Sequence, residues 1–266
     1  MFTVSGIFIY PIKGCRGIAL TEAVVEDIGL ANDRRMLVID QDGTFLSQRE
    51  VATMALIDVA PHADGWQLSA PNHPSIVITP TIDGPTRLAT VWRDTCMVID
   101  QGEEIAAWLS AVLGQACRMV VMAPSYRRLV SADYALKADD AVSFADGYAS
   151  LITNTGSLDD LNTKLDAPIG MERFRPNIVV SGAPAWDEDT WHEIAIGDVN
   201  VTAVKPCARC VVTTTDQLTG ERSHEPLATM STFRKIGHGV IFGQNLIHNT
   251  LGTIRIGDSV TITRRK

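Results

Sequence analysis

Two cysteines with an arginine between them, in the stretch "VKPCARCVVTTTDQLTG" at residues 204–220, are the side chains in this sequence best suited to chemistry. Cys207 and Cys210 allow four readings. A structural zinc site needs four Cys or His ligands, usually as two close pairs, and the sequence holds no second pair; His224 and His238 lack the usual spacing. A redox dithiol prefers a helix N-terminus, whereas Val211, Val212, Thr213, Thr214 and Thr215 read as a strand. Two buried cysteines flanking a sharp turn form the third reading. In the fourth, one thiolate is a soft ligand, favoured by the neighbouring charge of Arg209, for a metal that carries further sulfur.

The last reading requires anion-binding groups elsewhere, and the sequence contains them. "YPIKGCRG" places Lys13 and Arg16 around two glycines, without the GxxxxGK[ST] order of a P-loop. "ANDRRMLVID" supplies Arg34 and Arg35 at the mouth of a strand, and "MERFRPNIVVSG" supplies Arg173 and Arg175 in a similar position. Taken singly, such arginines are ordinary strand-end charges; their recurrence beside loops points to an anionic ligand.

The elements that must position these groups are mostly strands. "VSGIFIY", "EAVVEDIGL", "RRMLVIDQDGTFLSQ", "WQLSAP", "SIVITP" and "RLATVW" alternate with Asp-Gly, Pro and Asn, which predicts an antiparallel sheet or barrel. Asp42-Gly43 supplies a hairpin turn. "DQGEEIAAWLSAVLG" predicts a helix with Ile105, Trp108, Leu109 and Val112 on one face, capped by Asp100 and ended by Gly114. Residues 122–142 read as a connector between two halves. Beyond it, "SLDDLNTKL" predicts a short helix with Ser157 as N-cap, and "EPLATMSTFRKI" another. Strands return in "NIVVSG", "CVVTTT", "EIAIGDVNV" and "IRIGDSVTI", the last two read as Gly-Asp hairpins. The class is mostly β or α+β.

Composition narrows the function. The 266 residues suffice for one large domain or two modest ones. With 23 Lys and Arg against 31 Asp and Glu, the net charge of −8 disfavours stable nucleic-acid binding but permits a local basic pocket. An N-terminus without a basic stretch and the absence of a long apolar run predict a cytoplasmic chain with no membrane contact. Five cysteines (Cys15, Cys96, Cys117, Cys207 and Cys210) make a disulfide framework improbable.

Four stretches together, "KPCARCVVTTTDQLTG", "FRPNIVVSG", "FGQNL" and "GTIRIGDSVTI", resemble the MOSC domain shared with molybdenum-cofactor sulfurases. "YPIKGCRGIAL" and "GLANDRRMLVIDQDGTFLSQRE" resemble the β-barrel domain that precedes it in the branch containing amidoxime-reducing components and bacterial reductases of N-hydroxylated bases. The resemblance implies an N-terminal β-barrel-like domain at 1–120 packed on a MOSC barrel domain at 121–266. It also implies a molybdenum–molybdopterin enzyme that reduces amidoximes, hydroxylamines and N-hydroxylated nucleobases, a detoxifying activity; the family has an association with pyridoxal phosphate binding as well. By the same resemblance Cys210 is the metal ligand, Lys13, Gly14, Arg34, Arg175 and Arg209 hold the cofactor, and Asn177 and Gln244 are partners for the pterin. Gly14 stands where relatives often have serine, so only backbone can serve there. Asp216 is expected to orient Arg209 or relay protons. No cysteine spacing fits an iron–sulfur cluster, so a separate ferredoxin or flavin reductase would deliver electrons, with "APAWDEDTWHE" (183–193) a candidate docking surface. The alternative is a cofactor or persulfide carrier without reductase activity.

Overall fold

The computed structural model describes residues 1–266. Seven strands close into a barrel in the order Ser150–Asn154, Ile178–Ser181, Phe2–Ile9, Ser259–Arg265, Trp191–Ile196, Val199–Arg209 and Gly239–His248, the last returning to pair with the first. All neighbours are antiparallel except Ser150–Asn154 with Ile178–Ser181. Closure leaves the ring without free edges. The β-branched, apolar strands bury a core of 19 residues, including Val4, Ile7, Ile178, Trp191, Ile194, Val201 and Leu246.

A second layer packs beside the barrel. It comprises a four-stranded sheet (Met36–Asp40, Cys117–Met122, Asp94–Asp100, Thr86–Val91), a three-stranded meander over residues 58–78 and the helix Glu103–Leu113. Its core of 18 buried residues takes Ile105, Trp108 and Leu109 from the expected helix face, with Leu113 buried beside them and Val112 only partly buried. Truncating Leu109, which is fully buried, to alanine should cost about 2–5 kcal/mol.

The two layers are threaded through each other. Phe2–Ile9 belongs to the barrel, between Ile178–Ser181 and Ser259–Arg265; the chain then crosses at Tyr10–Gly14 into the second layer. Glu22–Glu26 pairs back with Gly252–Arg255. The crossing peptide therefore lies at the seam between both cores.

The mostly-β class, the long helix and its left-handed Gly114 terminus agree with the sequence reading. Several local expectations do not. Asp100 is no helix cap; Gly102 holds that position, and Asp100 is buried between Arg87 and Arg118. Asn154, not Ser157, caps Thr155–Asn162, because Ser157 is buried and donates to Glu188. Gly197-Asp198 forms the expected hairpin turn, but Gly252–Arg255 and Ser259–Arg265 leave their turn for different partners. Val211–Thr214 is a single 3-10 turn rather than a strand, since the strand ends at Arg209. No helix is long and apolar enough to cross a membrane.

Candidate functional site

A cleft opens at the seam, and Lys13, Arg34, Arg175, Arg209, Cys207 and Cys210 all line it. Residues far apart in sequence meet there because each lies at or close to the end of a strand. Lys13 and Gly14 come from the crossing peptide, Arg34 from the turn after Gly29–Leu30, Arg175 from the turn before Ile178–Ser181, and the cysteine pair from the end of Val199–Arg209. That last strand slips register between Pro206 and Ala208, so Cys207 falls within a bulge. Bulges of this kind re-aim side chains beside functional sites.

Tyr10 is the floor of the cationic wall. The guanidinium carbons of Arg34 and Arg175 lie 4.5 and 4.2 Å from its ring centroid. Both arginines adopt left-handed backbone, with φ of 51° and 52°, a conformation that costs a non-glycine residue on the order of 1 kcal/mol or more. The Tyr10 hydroxyl donates to the Pro176 carbonyl at 3.0 Å. Burial pushes that phenol up to about 12, against the pull of the two arginines.

The cations differ in how far the protein satisfies them. Arg34 donates to Asp33 and, at 3.3 Å, to Asn177 Oδ1. Arg175 is buried yet makes one long bond, 3.3 Å to Gln217 Oε1, and burial holds its guanidinium below its ordinary value. Arg209 donates to the Phe174 carbonyl and, at 2.8 Å, to Cys207 Sγ; its Nε is buried without a partner. Lys13 is ion-paired with Asp146. Burial lowers the lysine's proton affinity and Asp146 opposes it. Asp146 keeps an exposed side chain, and Lys13, Arg34 and Arg49 hold its carboxyl well below the usual carboxylate range.

Other residues expected at the site lie differently. Asn177 lines the cleft, but its amide is already bonded to Phe8 O, Leu151 N and Arg34. Gln244 points away, toward Asp189 and Lys266; its neighbour Asn245 lines the cleft instead, because successive strand residues face opposite sides. Asp216 lies off the cleft. Its Oδ1 accepts from the Leu218 and Thr219 amides, which depress its carboxyl, and its nearest cation is Arg173 at 3.7 Å. Arg35 pairs with Glu26, and Arg173 donates to Thr213 O, both outside the cleft. The 183–193 tract is pinned rather than free: Glu188 and Trp191 are buried, Asp187 pairs with Arg265 and Asp189 with Arg234. Pro184, Ala185, Thr190 and Glu193 of the tract remain exposed.

Tyr10, Asp146, Arg49 and Trp92 escaped the sequence reading. The only sequence signal for Tyr10 is an aromatic residue immediately before Pro11 at a strand end.

The side chains test what could be held here. No three His, Cys, Asp or Glu groups converge as a metal cage, and all five cysteines are free thiols. A protein-only zinc site is therefore excluded by its donor set. Under-bonded guanidiniums beside one available thiol fit a ligand that brings its own sulfur donors and an anionic end. The orphaned Arg209 Nε and the thinly bonded Arg175 are the unmet donors such a ligand would satisfy.

This fold and cleft define a two-part, mostly β protein with a cation-lined cleft at the seam of its layers. Residues 1–116 match the MOSC N-terminal beta barrel domain and residues 139–261 the MOSC domain, and the chain belongs to the MOSC family. It is 35% identical to mouse mitochondrial amidoxime-reducing component 1, covering 97% of this chain and 81% of that one. With human mitochondrial amidoxime-reducing component 1 the identity is 34%, over 97% of this chain and 82% of the relative. A zebrafish molybdenum cofactor sulfurase is 28% identical over 97% of this chain, which corresponds to 34% of the sulfurase.

Proposed function

We propose that the chain is a molybdenum-cofactor-dependent reductase of N-hydroxylated compounds: amidoximes, hydroxylamines and N-hydroxylated nucleobases. One observation carries the reading. Cys210 shares a cleft with Lys13, Arg34, Arg175 and Arg209, and the protein leaves donors of the last two partly unmet although the chain is acidic overall. The names of its amidoxime-reducing relatives support the substrate class.

In this reading Lys13 and Arg175 receive a terminal phosphate, Arg34 and Arg209 flank the pterin, and Cys210 provides the thiolate ligand to the metal. When bound, the cofactor supplies the two-electron chemistry that cleaves the substrate's N–O bond, two protons and two electrons releasing the oxygen as water. The protein's own part is positional. Tyr10 holds two guanidiniums flat against its ring, and the Phe174 carbonyl fixes the Arg209 fork. Asp146 keeps Lys13 neutralised until a stronger dianion takes its place. Gly14, with φ of 89°, lets the crossing peptide turn beside Lys13. A separate donor protein brings the electrons.

The test uses chain purified from a cofactor-competent host, with a reduced viologen dye and an amidoxime. Amidine should form, and Cys210→Ala should abolish turnover while Cys207→Ala reduces it only mildly. Full activity in Cys210→Ala would remove the ligand assignment. Molybdenum bound without any N-hydroxylated substrate being reduced would favour the carrier reading.

A further inference from the structure

One side of the cleft mouth has features that cofactor binding does not explain. The strands Thr86–Val91 and Asp94–Asp100 are joined by Trp92 and Arg93 alone, since Val91 pairs with Asp94. Trp92 occupies the first turn position with φ of 59°. Hairpin turns of this length usually place glycine where φ is positive, and a bulky aromatic there is a strained exception. The indole is held in place nevertheless. Phe45 packs edge-on to it at 4.7 Å, and the indole N–H donates to Asp146 Oδ1 at 3.3 Å. Phe45 is fixed in turn, because its amide donates to the Thr90 carbonyl beside the same hairpin.

Arg49 completes the arrangement. Its guanidinium lies 4.2 Å from the Trp92 ring centroid and makes no hydrogen bond or ion pair of its own. Its backbone is pinned, with the carbonyl accepting from Arg222 and the amide donating to Ser47 Oγ. Trp92 keeps 37% of its surface exposed, and both residues line the cleft. A large π surface and an unused five-donor fork thus face the opening together, at the cost of backbone strain.

We propose that Trp92 and Arg49 form the specificity platform of the cleft, a stacking surface that selects substrates whose N-hydroxylated group is attached to a flat aromatic ring over small aliphatic ones. This rests on the reductase reading above and names the substrate subclass for it. A planar ring stacks on the exposed part of the indole, and the Arg49 fork bonds acceptors at the ring's edge. An aliphatic amidoxime gains neither contact.

The experiment compares benzamidoxime with acetamidoxime on the molybdenum-loaded wild-type chain, Trp92→Gly and Trp92→Phe. Glycine suits the positive φ, so Trp92→Gly relieves the backbone strain while removing the platform. Its KM ratio, benzamidoxime over acetamidoxime, should rise about tenfold, the scale of one lost aromatic stack, and Trp92→Phe should recover most of the preference. Equal KM shifts for both substrates, or no shift, would overturn the proposal. So would loss of molybdenum in Trp92→Gly, which would make the indole part of the cofactor wall. A second readout needs no turnover: benzamidoxime should quench the wild-type tryptophan fluorescence, and Trp92→Phe should remove that quenching. If the loaded wild type reduces neither compound, the reductase reading fails, and this binding arm alone decides whether the platform holds flat rings. Quenching that persists in Trp92→Phe rejects it.

Discussion

Two clusters of buried charge in this molecule are built on opposite terms. Around Asp100, charge is saturated: the carboxylate, 2% exposed, accepts from Arg87, Arg118 and the Gly102 amide, and Arg118 reaches on to Glu103. Around Tyr10, charge is left over: Arg175 makes one long bond, Arg209 retains an orphaned donor, and the arginines stacked on the ring sit in left-handed backbone. The first cluster ties three adjacent strands and a helix start together and needs nothing more. Under the proposed function an anion completes the second. Under-bonded cations gathered with a thiol in one cleft are what the proposed function rests on.

Mutation can break this contrast. Asp100→Ala strands two arginines; because Arg87 and Arg118 still reach water, the loss should fall at the lower end of buried-pair values, about 3 kcal/mol in urea unfolding, with cofactor content per folded chain unchanged. Arg175→Met should do the reverse, altering stability by no more than about 1 kcal/mol while lowering retained molybdopterin at least about tenfold. Equal destabilisation by both substitutions would show the cleft arginine to be structural.

Acid response sharpens the comparison. Burial would raise the Asp100 carboxyl, but hydrogen bonds from Arg118, the Gly102 amide and Arg87 outweigh it, so its folded proton affinity is depressed. The stability it contributes is present above the unfolded carboxylate value near pH 4 and is lost as pH falls through the lower folded value. Glu188 runs the other way. It is fully buried with only Ser157 and Asn154 as donors, and burial raises its carboxyl. The folded state therefore holds the Glu188 proton more tightly than the unfolded chain. Stability from this residue is greatest below about pH 4 and declines as pH rises through its raised folded value. Glu188→Gln should remove that decline, gaining about 1 kcal/mol at pH 8 relative to pH 4 in denaturant melts. The smallest effect is expected for Tyr10→Phe. It loses the bond to Pro176 O, costing about 1 kcal/mol, but keeps the ring under both guanidiniums and hence the cofactor.

The sequence revealed much of this, and the gaps have physical causes. Strand-rich segments, the helix face at Ile105, Trp108 and Leu109, and the cationic loops are local patterns, and each is visible without the fold. The two Gly-Asp turns are nearly identical in sequence, yet only Gly197-Asp198 closes a hairpin, because strand partners are chosen by the tertiary sheet. Val211–Thr214 has strand propensity but follows the last paired residue, so it coils. Gln244 and Asn245 differ by one step of the pleat, which sequence proximity to a motif cannot resolve. Tyr10, Asp146 and Trp92 owe their roles to stacking and to crossing between layers, and neither leaves a local signature.

The central claim is that the unmatched cations and the Cys210 thiol exist for one phosphorylated metallo-pterin. Elemental and pterin analysis of the chain from a cofactor-competent host should give about one molybdenum and one molybdopterin per chain, with Arg175→Met and Cys210→Ala both depleted in metal. Wild-type protein that folds in such a host yet carries neither metal nor pterin would contradict the account.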